Sequence, residues 1–232
     1  MCWLIAIFIL VLLCFLIWAS SDIGSNIYLK TLCHGPAGEK TVALTFDDGP
    51  NPHMTPLVLD VLKEYGIKAT FFLVGTEVQK NQDIVRRMIS EGHIVGNHTH
   101  SHKSVFPLSG AAAVHKELRM CNAAIAEVIG KKPKLFRPPF GVTNPIIGKE
   151  VMSMQMKAVG WSIRSFDTIS SINRGKVCER VVKNLRPGAI ILLHDRCDNA
   201  DKLLKNIIQS IINQGYNFTT IDKILKENPY AN

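Results

Sequence analysis

Adjacent carboxylates and closely spaced histidines are the residues of this sequence best suited to chemistry. Asp47 and Asp48 are chain neighbours, and two such carboxylates repel each other unless a cation or an arginine neutralises at least one. His98 and His102 are four residues apart, a spacing that on a helical turn places both imidazoles on one face. One carboxylate and two histidines leave coordination positions open for water and substrate. We therefore predict a catalytic divalent-metal site formed by Asp48, His98 and His102.

These residues follow short apolar runs that alternate with helix-like segments. The predicted strands are Val42–Phe46, Ala69–Val74, Ile94–Val95, Leu135–Phe136, Ala158–Trp161, Ala189–Leu193 and Asn217–Thr220. The predicted helices, with apolar residues three and four apart, are Pro56–Tyr65, Asp83–Glu91, Ala111–Ile129, Lys176–Leu185 and Asp201–Gln214. This alternation predicts a parallel sheet covered by helices, either as a βα barrel or as an open doubly wound sheet.

Polar side chains follow five of the predicted strands where each strand ends. They are Asp47 and Asp48, the segment from Asn97 to His102, Arg137, the pair Arg164 and Asp167, and the pair His194 and Asp195. Active sites of parallel α/β folds collect at the carboxyl ends of the strands, so these side chains are expected to form one site. Asp195 is the exception, since it and Arg196 are expected at the surface.

Four of these strand ends carry motifs that resemble the polysaccharide deacetylase family, carbohydrate esterase family 4, over roughly residues 41–225. The motifs are Thr45–Gly49, His98–His102, Arg137–Gly141 and Leu192–His194. The resemblance implies an α/β fold in the form of a distorted βα barrel, and it favours the barrel over the open sheet. It also implies hydrolysis of acetyl groups.

The resemblance assigns proton-transfer roles to two pairs of residues. Asp47 would be the general base, kept ionised and aligned by Arg137, and His194 would be the general acid, oriented by Asp167. The metal would lower the pKa of water and polarise the acetyl carbonyl. Zn²⁺ is the expected ion, with Co²⁺ or Ni²⁺ as alternatives.

The resemblance also assigns substrate-binding residues, with two departures from the family pattern. Phe140 would bind the oxyanion through its backbone N–H, and Leu192 would form a wall for the acetyl methyl group. The family commonly has Asp-x-x-Asp-Trp in its fourth motif, whereas this chain has Arg164 at the first position and Thr168 at the last. The Trp that usually helps to enclose the acetyl pocket is therefore absent from that position.

The function that we expect is metal-dependent hydrolysis of a carbon–nitrogen bond other than a peptide bond. The acetyl groups would come from an N-acetylated polysaccharide, either peptidoglycan or a chitin-like N-acetylglucosamine polymer. One alternative is an O-acetyl esterase acting on a xylan-like polymer. A second is a catalytically silent, membrane-anchored glycan-binding protein, which the altered fourth motif would explain.

The N-terminus is an uninterrupted apolar run over residues 2–18, long enough at 1.5 Å per residue to cross most of a bilayer core. No Lys or Arg precedes the run and it is longer than the apolar region of a signal peptide, which favours an uncleaved anchor. We therefore expect residues 1–19 as a membrane helix, 20–40 as a linker and 41–228 as an exported catalytic domain. If the N-terminus is cleaved instead, the domain is secreted.

Charge and cysteine content argue against other classes of function. The net charge is +8, but the basic residues are scattered and show no basic run interleaved with aromatic residues. A nucleic-acid partner is therefore not expected. The six cysteines form no CxxC pair, which argues against a zinc–thiolate cluster. The expected partners are the polysaccharide and the membrane, and the oligomeric state is left open.

Overall fold

The fold is built on a curled parallel sheet. The computed structural model describes residues 2–231, with Cys2 described at the backbone alone. The strands are β1 (Thr31–Leu32), β2 (Thr41–Asp47), β3 (Thr70–Leu73), β4 (Ile94–Asn97), β5 (Lys132–Pro133), β6 (Leu135–Phe136), β7 (Lys157–Val159), β8 (Ile163–Arg164), β9 (Ala189–His194), β10 (Asn217–Thr219) and β11 (Tyr230–Ala231). The sheet order is β1-β7-β6-β4-β3-β2-β9-β8, with β10 pairing the start of β2. Every pairing of these nine strands is parallel.

The described residues form nine helices, most of which connect the strands of this sheet. They are α1 (Cys2–Ser21), α2 (Met54–Glu64), α3 (Gly75–Lys80), α4 (Gln82–Ser90), α5 (Ala111–Ile129), α6 (Pro145–Ser153), α7 (Arg174–Lys183), α8 (Ala200–Asn213) and α9 (Ile221–Leu225). Two short 3₁₀ turns, Phe106–Leu108 and Pro139–Gly141, lie in the connections. The arrangement is a half-barrel, and the expected distorted βα barrel is confirmed.

Strand β2 shows how the two faces of the sheet differ. Successive side chains of a strand point to opposite faces. Val42, Leu44 and Phe46 belong to the large apolar core on the side of helices α2, α7 and α8. Thr45 and Asp47 therefore face the inner side of the curled sheet, where both are almost completely buried. The same strand thus supplies core packing on one face and polar chemistry on the other.

Strand register brings the polar strand ends together. In the pairing of β2 with β9, Asp47 lies opposite His194. In the pairing of β4 with β6, Asn97 lies opposite Phe136, and the Arg137 N–H donates to the Asn97 carbonyl at 3.0 Å. These side chains are far apart in sequence, and the parallel pairing places them at one edge of the sheet.

All seven strands and all five helices predicted from the sequence are confirmed, with ends that differ by a few residues. The prediction did not include α6, although Asn144 caps it by accepting from the Ile147 N–H at 2.8 Å and Pro145 occupies its first turn. The segment expected as a linker contributes β1 to the sheet, where Thr31 pairs with Ala158.

The apolar helix α1 ends against the folded domain. Ala19 is fully buried, and the Ser20 carbonyl accepts from the Thr143 N–H at 2.9 Å. Beyond the helix, Ile23 and Leu29 are also buried. The chain that follows the helix is therefore packed onto the domain beside the 3₁₀ turn Pro139–Gly141.

Candidate active site

Three side chains at the carboxyl edge of the sheet form a possible metal site. Oδ1 of Asp48 lies 3.4 Å from Nε2 of His98 and 3.3 Å from Nε2 of His102. The three donor atoms lie within 4.8 Å of one another. Nδ1 of His98 lies 2.8 Å from the Arg137 carbonyl, so a proton on Nδ1 leaves the Nε2 lone pair directed at the site. A set of two imidazoles and one carboxylate fits a catalytic divalent-metal site.

The loop that carries both histidines is held in an unusual conformation by one glutamate. Thr99 and His102 have positive φ values of 67° and 46°, a region that non-glycine residues seldom adopt. Glu117, from α5, accepts from the N–H of His100 at 3.1 Å and from the N–H and hydroxyl of Ser101, each at 2.8 Å. These bonds offset the cost of the loop conformation. Glu117 is a site residue that the sequence analysis missed.

The electrostatics around Asp48 and His102 favour the protonation states that bind metal. Burial alone would raise the pKa of Asp48, but the hydrogen bond with His98 and the nearby imidazoles of His98, His194 and His102 lower that pKa well below its ordinary value. Burial and the neighbouring His98 lower the pKa of His102. The carboxylate is therefore ionised and the imidazole neutral, which are the forms that coordinate a metal.

Asp47 is fixed by a buried arginine. Nη1 of Arg137 donates to Oδ1 of Asp47 at 2.7 Å and to the Thr45 hydroxyl at 2.8 Å. Nε and Nη2 of the same guanidinium donate to the carbonyls of Val159 and Gly160, at 3.1 and 2.7 Å. Arg137 has no exposed surface. The second oxygen of Asp47, 3.7 Å from Nε2 of His98, is left facing the metal site.

His194 is fixed by a buried aspartate. Its Nδ1 lies 2.7 Å from Oδ1 of Asp167, and its backbone N–H donates to Oδ2 of the same carboxylate at 2.7 Å. Burial lowers the pKa of His194, but the hydrogen bond and charge of Asp167, with the charges of Asp47 and Asp48, raise it above its ordinary value overall. With Nδ1 occupied, Nε2 is the nitrogen available for proton transfer.

These groups line one cavity of about 160 Å³. Of the nine residues predicted for the site, seven line it, namely Asp47, Asp48, His98, His102, Phe140, Leu192 and His194. Arg137 and Asp167 lie behind the wall, where they hold Asp47 and His194. The structure therefore brings all nine together.

The outer wall of the cavity contains an aromatic residue that the sequence analysis did not select. Trp161 lines the cavity beside Gly141, Arg164 and Thr168. A Cβ atom added to Gly141 would lie 2.6 Å from the Trp161 ring, and Gly141 has a φ of 73°. Glycine is therefore required at this position. Phe140, also at positive φ, packs its ring against that of His102, with centroids 4.9 Å apart.

The expectation for Asp195 was wrong, whereas Arg196 is exposed as expected. Asp195 is fully buried, and its Oδ2 accepts from the Thr55 hydroxyl at 2.5 Å. Burial raises its pKa to about 7. A Cβ atom on Gly49 would lie 2.3 Å from this carboxylate. Asp195 thus packs under the loop that follows Asp48, and Arg196 donates from Nε to Oδ2 of Asp48 at 2.7 Å.

Comparisons with known proteins agree with this geometry. The family model described as polysaccharide deacetylase matches residues 34–159. A peptidoglycan-N-acetylglucosamine deacetylase of Bacillus cereus is 36% identical over 196 residues, which cover 82% of this chain and 91% of that protein. A peptidoglycan-N-acetylmuramic acid deacetylase of Bacillus subtilis is 35% identical over 196 residues, which cover 83% of this chain and 74% of that protein.

A solved structure is similar over nearly the whole fold. It is the crystal structure of a peptidoglycan N-acetylglucosamine deacetylase in complex with 4-naphthalen-1-yl-N-oxidanyl-benzamide. The two folds match with a TM-score of 0.81 at 30% sequence identity, over 87% of this chain and 95% of the other.

We expect the purified full-length chain to bind about one divalent ion, since the structure brings together one set of three donors. His98→Ala and His102→Ala should each abolish stoichiometric binding because each removes one ligand. Calorimetric titration with Zn²⁺ and elemental analysis of the dialysed protein measure this. The control is His115→Ala, which removes an exposed histidine paired with Glu150. Full binding by both site variants would contradict the assignment.

Proposed function

Since this chain belongs to the polysaccharide deacetylase family, we propose that it removes acetyl groups from the N-acetylated amino sugars of peptidoglycan. It is a hydrolase of the carbon–nitrogen bond of an acetamide. One observation carries the proposal for this site. Asp47 and His194 lie opposite each other in adjacent strands and line the same cavity, beside the three possible metal ligands. The peptidoglycan substrate is inferred from the relatives.

The proposed cofactor is a divalent ion held by Asp48, His98 and His102. A bound ion supplies polarisation of the acetyl carbonyl and a lower pKa for the attacking water. Nitrogen and oxygen donors of this kind suit Zn²⁺, and Co²⁺ or Ni²⁺ can occupy the same set.

Asp47 is proposed as the general base. Arg137 holds its Oδ1, so that Oδ2 is the oxygen available to accept a proton from water. As the water oxygen bonds to the carbonyl carbon, its proton passes to Oδ2 of Asp47.

His194 is proposed as the general acid. Its Nε2 donates a proton to the acetamide nitrogen as the carbon–nitrogen bond breaks, which releases acetate and an amine. Asp167 holds the Nδ1 side of the ring and stabilises its positive charge. The amide nitrogen is a poor leaving group unless it is protonated, so the chemistry requires this donor.

The remaining contacts would hold the acetyl group. The Phe140 N–H is proposed to donate to the oxygen of the tetrahedral intermediate, an interaction of a type worth about 2.7–4 kcal/mol. Leu192 would contact the methyl group, and Trp161, which lines the same cavity as Thr168, would help to enclose it. An intact acid–base arrangement also disfavours the alternative of a silent glycan-binding protein.

The proposed activity is tested by acetate release from N-acetylated peptidoglycan, with chitooligosaccharide and O-acetylated xylan in parallel. We expect release from peptidoglycan that requires the metal. Asp47→Asn should lower kcat by about 10²–10⁴-fold, the usual contribution of general-base catalysis, while metal binding is retained. Asp60→Asn, at an exposed position on α2, is the matched control. Preferential release from O-acetylated xylan would instead indicate the esterase, and no release from any polymer would contradict the proposal.

The proton on His194 sets a pH dependence. A raised pKa means that the proton is present at low pH and is lost as the pH rises through that pKa, so kcat/KM should fall on the alkaline side. Asp167→Asn removes the negative charge that raises the pKa. The alkaline limb should therefore move to lower pH in this variant.

This shift is measured from kcat/KM against pH at saturating metal, with Asp198→Asn as the exposed control. An alkaline limb that stays in place in Asp167→Asn would contradict the role of His194.

We also propose that α1 anchors the protein in a membrane with the catalytic domain exported. Residues Trp3–Ser21 are long and apolar enough to cross a bilayer. The end of the helix is packed onto the domain through Ala19 and Ser20, which supports retention of the helix over cleavage. Relatives named as peptidoglycan deacetylases support an envelope location.

We expect the full-length chain in the membrane fraction with its N-terminus intact, because a span of this length inserts stably. Fractionation followed by mass spectrometry of the N-terminal peptide measures this. A variant without residues 2–18 should appear in the soluble fraction. Recovery of the intact chain as a soluble protein would contradict the anchor, and a mature N-terminus near Ser20 would indicate a cleaved signal.

A further inference from the structure

Arg164 presents a positive charge at the active-site cavity. It ends strand β8 and lies opposite Leu192 in the pairing with β9, two residues before His194. Its side chain lines the same cavity as Leu192 and His194, and the residue is exposed. Within residues 2–231, no carboxylate lies within 4.0 Å of its guanidinium.

The surroundings hold this charge in place without neutralising it. The Arg164 guanidinium carbon lies 5.9 Å from the centroid of the Trp161 ring and 5.0 Å from that of Phe166. Arg180 approaches the same Phe166 ring at 4.4 Å and donates from Nε to the Arg164 carbonyl at 2.9 Å. Two guanidinium groups therefore share one aromatic ring, and their repulsion falls if an anion binds between or beside them.

Two other arginines at the site bond the carboxylates of Asp47 and Asp48. Arg137 is paired with Asp47, and Arg196 with Asp48, each at 2.7 Å. Among the described residues around the cavity, Arg164 is thus an arginine whose forked donors remain available to substrate. A guanidinium held by aromatic stacking is well suited to bind a carboxylate through two parallel hydrogen bonds.

The position of the acetamide indicates which carboxylate can reach it. In an amino sugar the acetamido group is on C2, and the neighbouring carbon carries O3. A substituent on O3 is therefore close to the acetamide, and Arg164 lines the same cavity as Leu192 and His194. We propose, resting on the deacetylase function above, that Arg164 forms a subsite for a carboxylate attached through O3 of the reacting sugar, as in the lactyl ether of muramic acid.

The test uses three tetrasaccharides of alternating N-acetylglucosamine and N-acetylmuramic acid. The first substrate carries free lactyl carboxylates, and the second carries the methyl esters of these carboxylates. In the third, each lactyl group is linked by an amide bond to L-alanine. The methyl ester keeps nearly the same shape of the lactyl group but removes its negative charge. The added alanine places the carboxylate farther from the sugar ring. The kcat/KM for acetate release is measured with the metal-loaded full-length chain, and mass spectrometry identifies the sugar that loses its acetyl group.

We expect the free acid to be preferred over the ester by about 10- to 100-fold, the range of a charge-assisted hydrogen bond, with loss of acetyl from the muramic acid. Arg164→Gln should reduce this preference to near unity, and Arg164→Lys should keep part of it. Arg86→Gln removes one charge from an exposed arginine on α4 that is paired with Asp83. This control should keep the full preference.

Three results would overturn the subsite. The first is an equal kcat/KM for the free acid and the methyl ester in the wild type, and the second is an unchanged preference for the acid in Arg164→Gln. The third is a higher kcat/KM for the alanine-linked substrate than for the free acid, which would place the recognised carboxylate on a peptide. If acetate is released from chitooligosaccharide while the free acid and the methyl ester have the same kcat/KM, the deacetylase proposal stands and the carboxylate subsite at Arg164 is rejected. If no substrate releases acetate, calorimetric binding of the acid and the ester to wild type and Arg164→Gln still decides the subsite.

Discussion

The buried ion pair between Arg137 and Asp47 is the interaction on which the site depends. A charged guanidinium with no exposed surface is tolerated only when its donors are satisfied, and here they bond a carboxylate, a hydroxyl and two carbonyls. These acceptors belong to β2 and to the end of β7, while Arg137 itself follows β6. The arginine therefore joins three strand ends across the inside of the curled sheet. Removal of one member of such a pair typically costs about 3–5 kcal/mol, because the other charge is left unpaired.

The two proposed proton-transfer groups, Asp47 and His194, are adjacent but have buried partners of opposite charge. Asp47 and His194 are opposite each other in register, so their backbones are one strand spacing apart. Each is held by a buried partner of opposite charge on the side away from the cavity. Arg137 fixes the carboxylate of Asp47, and Asp167 beside the imidazole of His194 favours its protonated form. This arrangement supports the proposed roles of Asp47 as general base and His194 as general acid.

Much of this site is predictable from the sequence because the fold rule is simple. Parallel strands end at one edge, so Asp47, His98, Arg137 and His194, each placed after an apolar run, had to meet there. The features that the sequence did not reveal depend on contacts between distant segments. Asp195 is buried because Thr55 and Gly49 pack against it, from segments about 140 residues earlier in the chain. Glu117 supports the histidine loop from the middle of a helix, where a glutamate is ordinary in sequence terms. No local pattern distinguishes such a residue from a solvated one.

Burial determines what each arginine can do around this cavity. Arg137 is enclosed and each of its three side-chain nitrogens donates within the protein, so it acts by positioning Asp47. Arg196 is exposed, but it forms an ion pair with Asp48, which is a possible metal ligand, so its charge is partly neutralised. Arg164 is exposed, has no carboxylate partner in the described chain and is held by aromatic rings, so its charge is directed to whatever enters the cavity. Inside the cavity the charge of Arg137 is neutralised by Asp47, whereas at its edge Arg164 remains positive. This charge distribution favours a substrate whose reacting group is neutral and whose neighbouring substituent is anionic. That combination is met when an acetamide and a carboxylate are carried on adjacent carbons of one sugar.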